Sequence, residues 1–517
     1  MTDTLHKLVE SLQQPALFAH PVTRFVVIET HISIILLTGS FAYKFKKPVN
    51  FGFLDFSTLE KRRQCCAEEL RLNRRLAPEL YLELVPVCAG PRFGDDAEVI
   101  EYAVRMREFA QQAQFDRMLD DGRLTPAHID ALATRIAHFH AGVAVAGPAT
   151  EFGMPAAVQA PMEENFTQIL GIFQDPDERR RLAPLQQWTR QTGQQLQAAL
   201  QLRKQGGFIR ECHGDLHLRN VALVDDVPLA FDCIEFNANL RWIDIISEVA
   251  FMVMDLDHRG QAALASRFLN AWLEHSGDYA GLALLRYYLV YRAMVRAKVD
   301  CLRAHQPDVA DAERVAILQD YHAYLELAGR YTQSTAPVLL LMHGLSGSGK
   351  TTVSQFLLEQ LPAIRVRSDI ERKRLHGLAG DAHTDAGIDQ GIYDRAAGER
   401  TYQQLATLAA ALLGAGHHVI VDAAFLQASQ REPFLELARS RGVPCCIIDC
   451  QAPEAELRRR IIARQRARKD ASEAGIQVLE NQLQHYQPPA ADGATILATG
   501  SDAAAMRELR AALRAYL

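Results

Sequence analysis

Residues 344–351 read Gly344-Leu-Ser-Gly-Ser-Gly349-Lys350-Thr351, which satisfies G-x-x-x-x-G-K-[ST] at every position. An apolar run over 338–342 precedes the motif and a helical pattern over 350–361 follows it. That strand–loop–helix setting is the one the motif requires. Glycines let successive backbone N–H groups turn inward around phosphate oxygens, and the helix N-terminus adds its positive end. Gly344, Ser346, Gly347, Ser348, Gly349, Lys350, Thr351 and Thr352 are therefore the expected nucleotide contacts. Lys350 is expected to reach the β- and γ-phosphates, and Thr351 to offer its hydroxyl to Mg²⁺.

Strands are expected at 338–342, 364–367, 418–422 and 445–449, with helices at 350–361, 393–415, 428–441 and 453–467. Such alternation predicts a parallel α/β sheet with helices on both faces. The small, polar stretch ending at Pro337 sets a domain boundary at about 332–337. The chain has 517 residues, enough for two large domains. We expect a first domain over 1–332, with a small lobe at about 20–110 and a helical lobe at about 111–332, and a second domain over 337–517.

Apolar residues make up 48% and charged residues 23%, which excludes a disordered chain. The net charge of −6 gives no reason to expect nucleic acid or anionic membrane as a partner. No apolar run approaches the roughly 20 residues of a membrane span, and the polar first fifteen residues do not read as a signal peptide. Nine cysteines without a CxxC pair read as reduced thiols, not a zinc site. A cytoplasmic location follows as the expectation.

Val419-Ile-Val-Asp422 is a buried strand ending in a carboxylate, where Asp422 can hold Mg²⁺ or its water. Asp369 follows another strand end and can accept the proton of an attacking hydroxyl, with Arg372 one turn later for phosphate or substrate. Seven of the twelve residues over 458–469 are basic, a pattern that fits a lid closing over the triphosphate. A nucleic-acid-binding helix and a solvated helix face are the other readings of that run. This half resembles the small P-loop kinases, among them the polynucleotide 5′-kinase domain, gluconate kinase, chloramphenicol phosphotransferase and the zeta toxins. The resemblance rests on GLSGSGKT, RSDIERKRL, VIVDAAF and the Arg-rich run over about 340–490. It implies Asp369 as general base, Arg372 as a substrate-phosphate contact and Arg464 as the lid arginine, with Arg460 and Arg468 beside it.

A second constellation lies earlier. Residues 212–220 read Cys212-His213-Gly214-Asp215-Leu-His-Leu-Arg-Asn220, and Phe231-Asp232-Cys-Ile-Glu235 follows. This is the spacing of a kinase catalytic loop and its metal-binding aspartate. Asp215 is the expected proton acceptor, Asn220 and Asp232 are the expected Mg²⁺ ligands, and His213 anchors the loop. The small lobe reads as β-rich, with a hairpin turn at Thr38-Gly39-Ser40 and a helix over 57–77. Lys44 is the expected partner of the α- and β-phosphates, with Lys46 and Lys47 as alternatives. Glu69, then Glu68, is the acid expected to pair with it. Residues Glu101 to Arg107 are expected to carry the hinge that grips adenine, and Asp255 and Asp257 read as helix-surface charges.

This half resembles the aminoglycoside phosphotransferase and fructosamine kinase group over about 25–300, through HGDLHLRN, FDCIEFN and Trp242-Ile-Asp244. It lacks a glycine-rich nucleotide loop; Glu29-Thr-His-Ile-Ser33 stands in that place. The order of the halves resembles a bacterial two-domain family, an aminoglycoside-phosphotransferase-like domain fused to a P-loop kinase-like ATPase. The expected fold is α+β, bilobal and protein-kinase-like in the first domain. In the second it is α/β, a P-loop three-layer α/β/α parallel sheet. The expected activity is transfer of a γ-phosphoryl group from ATP (or GTP), with Mg²⁺, to a small-molecule hydroxyl at two sites. Three alternatives stand beside it: one catalytic kinase domain regulated by a nucleotide-binding ATPase domain, a nucleic-acid 5′-hydroxyl kinase, and a nucleotide-dependent scaffold.

Overall fold

The structure is a computed structural model. It describes all residues except 1, 53, 95–96, 174, 307–308, 335, 381, 383–391, 393, 468–474, 491–493 and 515–517. By packing, the chain forms two units, Met1–Asp255 with Tyr291–Arg314, and Leu256–Val290 with Val315–Leu517. The second unit thus takes in Leu256–Val290, a segment that the sequence boundary at 332–337 assigns to the first domain.

The first unit opens on a six-stranded sheet of β1 (Val26–Glu29), β2 (Ser33–Leu37), β3 (Phe41–Lys46), β4 (Tyr81–Cys88), β5 (Arg92–Phe93) and β6 (Val99–Arg107). Its order is β1-β2-β3-β6-β4-β5, and every pairing is antiparallel. Side chains alternate across β3. Tyr43 and Phe45 join Ile34 and Leu36 under the N-terminal helix Thr2–Ser11, which contributes Leu5 and Val9, with Leu12 just past its end. Lys44 and Lys46 therefore project from the opposite face, toward the helix Leu59–Asn73. Thr58 caps that helix by accepting the Lys61 N–H. β6 is an interior strand, paired with β3 through Arg107 and with β4 through Met106, so Glu101 to Arg107, expected to carry the hinge, lie within the sheet.

A helical lobe follows, interrupted by the short strands β7 (Ile209–Glu211), β8 (Val221–Val224), β9 (Val227–Ala230) and β10 (Trp242–Asp244). Asp225 and Asp226 turn the β8–β9 hairpin with φ of 50° and 61°, the left-handed pair that a tight two-residue hairpin demands.

The second unit holds a five-stranded parallel sheet of β11 (Leu339–His343), β12 (Ala363–Arg367), β13 (His418–Asp422), β14 (Cys445–Cys450) and β15 (Thr495–Thr499). Its order is β12-β13-β11-β14-β15. A parallel sheet must be covered on both faces. Leu340, Met342, Ile420 and Ile448 pack on Val353 and Leu357 of the helix Lys350–Gln360 and on Leu509 and Leu513. On the other side, Tyr402, Phe425 and Phe434 form a chain of edge-on ring contacts. All nine cysteines are free thiols. Among the described residues, no helix is long and apolar enough to cross a membrane.

Two candidate nucleotide sites

In the first unit the catalytic-loop sequence is held from four directions. Both Glu248 oxygens are engaged: Oε1 accepts the His213 and Gly214 N–H groups at 2.6 and 2.8 Å, and Oε2 meets His140 Nε2 at 2.7 Å. His213 Nε2 meets the Phe231 carbonyl at 2.8 Å, and Arg292 donates to the Gly214 carbonyl at 3.3 Å. The Leu218 N–H donates to Asp255 at 2.9 Å. Asp255 is therefore a buried loop anchor and not a surface charge. Asp257 is likewise engaged, accepting the Tyr331 hydroxyl at 2.6 Å. Gly214 has φ of 91°, and a Cβ there would lie 2.8 Å from the Leu240 carbonyl, so the turn into Asp215 requires glycine. His140, Cys212 and Glu248 form the one metal-like grouping among the described residues. With both Glu248 oxygens already bonded, that grouping is a structural anchor.

On this support Asn220 Nδ2 donates to the Asp215 carboxylate and carbonyl, each at 3.0 Å, and His217 Nε2 lies 3.3 Å from the carboxylate. Burial by itself would raise the Asp215 pKa. The charges of His217, Arg296 and His213 outweigh it and hold the group below the ordinary carboxylate range. Asp232 has φ of 65°, a left-handed conformation unusual for a side-chain-bearing residue. Its N–H is fixed by the Tyr81 hydroxyl at 3.1 Å.

Lys44 Nζ lies 2.7 Å from Glu69 and 2.5 Å from Asp232. Lys46 takes the other Glu69 oxygen at 2.5 Å and also pairs with Glu235. Glu68 instead pairs with Arg71 and Arg241, and Lys47 pairs with Glu29 at 2.5 Å. In the turn that stands for a nucleotide loop, the Thr30 hydroxyl accepts the Ile32 and Ser33 N–H groups. Among the described residues, the buried Ser33 hydroxyl has no hydrogen-bond partner.

In the second unit Lys350 opens its helix and donates from Nζ to the carbonyls of Gly344 and Leu345 at 2.8 and 2.9 Å. Burial lowers its pKa, opposed by the charges of Asp422, Cys450 and Asp369, while Arg464 lowers it further. Lys350, Asp422, Asp369 and Arg464 therefore share one electrostatic neighbourhood. Gly347 has φ of 83°, and a Cβ there would lie 2.8 Å from the Leu457 carbonyl. Arg460 donates to the Gly347 carbonyl at 3.3 Å. Among the described residues, the buried Ser348 hydroxyl has no hydrogen-bond partner, which leaves a donor suited to an anion's oxygen. Thr351 and Thr352 form the next positions of the first helical turn. Asp422 accepts the Ser354 hydroxyl at 2.9 Å.

Asp369 lies in the first turn of the helix Ser368–Leu375, one residue past the first helical position, so it is not the cap. Arg372 donates to the Ile392 carbonyl at 3.2 Å. Asp369 and Arg372 both act on the Tyr402 phenol, whose pKa burial pushes up to about 12. Arg468 lies outside the described residues.

The sequence profile of the phosphotransferase enzyme family (APH) matches residues 54–285, and that of an AAA domain (AAA_33) matches residues 339–489. Uncharacterized protein Rv2004c of Mycobacterium tuberculosis is 32% identical over 464 residues, 88% of this chain and 90% of that protein. A protein of Mycobacterium bovis gives the same figures. The chain belongs to this two-domain family, an aminoglycoside-phosphotransferase-like domain joined to a P-loop kinase-like domain. Among solved structures, a choline/ethanolamine kinase family protein from Mesorhizobium loti is 12% identical, covering 64% of this chain and 97% of that one, with a TM-score of 0.40. The APS kinase of Mycobacterium tuberculosis is 23% identical, covering 35% and 98%, with a TM-score of 0.26.

In this member of the two-domain family, three site residues escaped sequence reasoning. Gln482, on the helix Ile476–His485, accepts the Ser346 N–H at 2.8 Å, on a phosphate-loop donor. Arg296 acts on Asp215 from the helix Leu282–Ala304. Glu235 meets Lys46. Gln482 and Arg296 carry no motif, and long chain separations hide their partners. Glu235 lies inside the quoted FDCIE, but only the doubled lysine of β3 reveals its partner.

Proposed function

We propose that the chain is an ATP- and Mg²⁺-dependent phosphotransferase with two nucleotide sites, each passing the γ-phosphoryl group to a hydroxyl of a small molecule. The observation that carries this reading is Lys44, held at 2.7 Å from Glu69 and 2.5 Å from Asp232. It joins the small-lobe lysine, its helix acid and the metal-loop carboxylate in one contact set, as a phosphoryl-transfer site requires.

In the first unit Asp215 takes the proton of the acceptor hydroxyl. The acceptor oxygen bonds to the γ-phosphorus, the bond to the β,γ-bridging oxygen breaks, and its electron pair leaves on ADP. Asp369 has the same role in the second unit. There Lys350 and Arg464 face the charge that develops on the transferring group. Asn220 with Asp232, and Thr351 with Asp422, are hard oxygen donor sets that suit Mg²⁺. When bound, Mg²⁺ neutralises phosphate charge. Arg458, Arg459 and Arg460 pair with Glu454, Glu456 and Glu480, which favours a small acceptor over a nucleic-acid strand.

Nucleotide stoichiometry by calorimetry tests the two-site reading. The wild type is expected to bind two ATP analogues per chain, and Lys44→Ala and Lys350→Ala one each. Two bound analogues in both variants would contradict it.

A further inference from the structure

Asp422 is oriented by a buried relay that begins far away in sequence. Its Oδ2 accepts the Ser354 hydroxyl at 2.9 Å. Arg365 donates to the Ser354 oxygen at 3.2 Å. Glu274 accepts from Arg365 Nε and a terminal nitrogen at 2.9 and 2.6 Å, and also pairs with Arg367 at 3.3 Å. Four residues earlier on the same helix, Asn270 accepts the Arg365 N–H at 2.7 Å and donates to the Ala363 carbonyl at 3.0 Å. Asn270 thus pairs with the outer edge of β12 as a neighbouring strand would. Ser354 and Asn270 are at most 1% exposed, and Arg365 and Asp422 no more than 6%.

The physical consequence lies in the charges. The guanidinium occupies a lone pair of the Ser354 oxygen and leaves the hydroxyl proton to point at an acceptor. Two are in reach, the Thr351 carbonyl at 3.1 Å and the Asp422 carboxylate at 2.9 Å. The ionised oxygen makes the stronger bond. Glu274 balances Arg365 from the other side. Without it, the buried guanidinium would find its counter-charge in Asp422 and neutralise the carboxylate meant for the cation.

We infer that Asn270 and Glu274, from the segment Leu256–Val290, are positioning residues of the P-loop site, acting through Arg365 and Ser354 to keep Asp422 oriented and available to a divalent cation. The inference rests on the reading of Asp422 as a cation-supporting carboxylate. It extends the working P-loop site beyond residues 337–517.

The test uses the full chain carrying Asp232→Asn, which removes the metal-loop carboxylate of the first unit. ADP binding is measured by calorimetry in EDTA and across a Mg²⁺ series, with no turnover involved. Mg²⁺ is expected to strengthen ADP binding in this background. Adding Glu274→Gln is expected to raise the Mg²⁺ concentration required by about 10–100-fold, the usual effect of losing an outer partner of a metal ligand. ADP affinity in EDTA is expected to stay within about twofold, which a merely structural role would not predict. Ser354→Ala should reproduce the shift, and the double variant should exceed neither single one, as members of one relay do. Should Glu274→Gln fail to fold, Ser354→Ala decides alone. An unchanged Mg²⁺ requirement, or an equal loss of ADP affinity with and without Mg²⁺, would overturn the inference. A background protein indifferent to Mg²⁺ would overturn the reading of Asp422 itself, and the inference with it.

Discussion

Glu69 lies between two buried lysines, 2.7 Å from Lys44 and 2.5 Å from Lys46. Burial alone would raise its pKa, but Lys44 and Lys46 together hold it low. Glu235 shares Lys46 with Glu69, and its pKa is raised, by burial first and by the Glu69 charge. The two carboxylates move in opposite directions because Glu69 has a lysine on each side. Glu69→Gln would leave two buried ammonium groups short of charge and should lower stability by about 3–5 kcal/mol in denaturant titrations at neutral pH. A lowered folded pKa means that the Glu69 contribution is complete above the ordinary glutamate range, about 4.3, and is lost as pH falls below it. The gap between wild type and variant should therefore narrow on acidification. A gap independent of pH would mean that Glu69 acts by packing alone. The choice of Glu69 over Glu68 was legible, because β3 and the following helix carried enough pattern. Glu68 serves Arg71 and Arg241, a role that only tertiary contacts reveal.

At the scale of elements, the helix Glu454–Ala467 separates its arginines by role. Arg458 and Arg459 are held by Glu454, Glu456 and Glu480 on the surface. Arg460 reaches the Gly347 carbonyl, and Arg464 acts on Lys350. Arg464→Ala should lower turnover at the P-loop site by about 10²–10³-fold, the scale seen when one stabilising donor is removed. Arg459→Ala should change it little. Equal effects of the two would reduce the helix to a general basic surface. Strand–loop–helix order, the end of β13 and the bounds of the helices Lys350–Gln360, Arg395–Gly414, Ala428–Arg441 and Glu454–Ala467 were legible from periodicity, whereas Ser368–Leu375, Ile476–His485, β15 and Ala503–Leu513 were not predicted. β4 was not: Pro86 interrupts it, and its pairing with β6 shifts register twice. The relay from Glu274 to Asp422 was not legible either, because its links join residues separated by 91, 11 and 68 positions. No local pattern encodes such pairs.

Over the whole molecule, two unrelated kinase-type domains share one chain, and under the proposed function each has its own lysine, carboxylate base and oxygen donor set. The P-loop unit is more than its motif domain, since Leu256–Val290 packs within it. Both families were legible because their motifs are local in sequence. The acceptor was not, because loops and helices distant in the chain build that surface. The most direct test of the central claim is ATP consumption with Mg²⁺ by wild type, Lys350→Ala and Asp215→Ala, with and without a pool of cellular metabolites. Mass spectrometry would record each product that gains one phosphoryl group. The account predicts acceptor-dependent turnover, with one set of phosphorylated products lost in Lys350→Ala and another in Asp215→Ala. Turnover that ignores the pool and vanishes only in Lys350→Ala would contradict it.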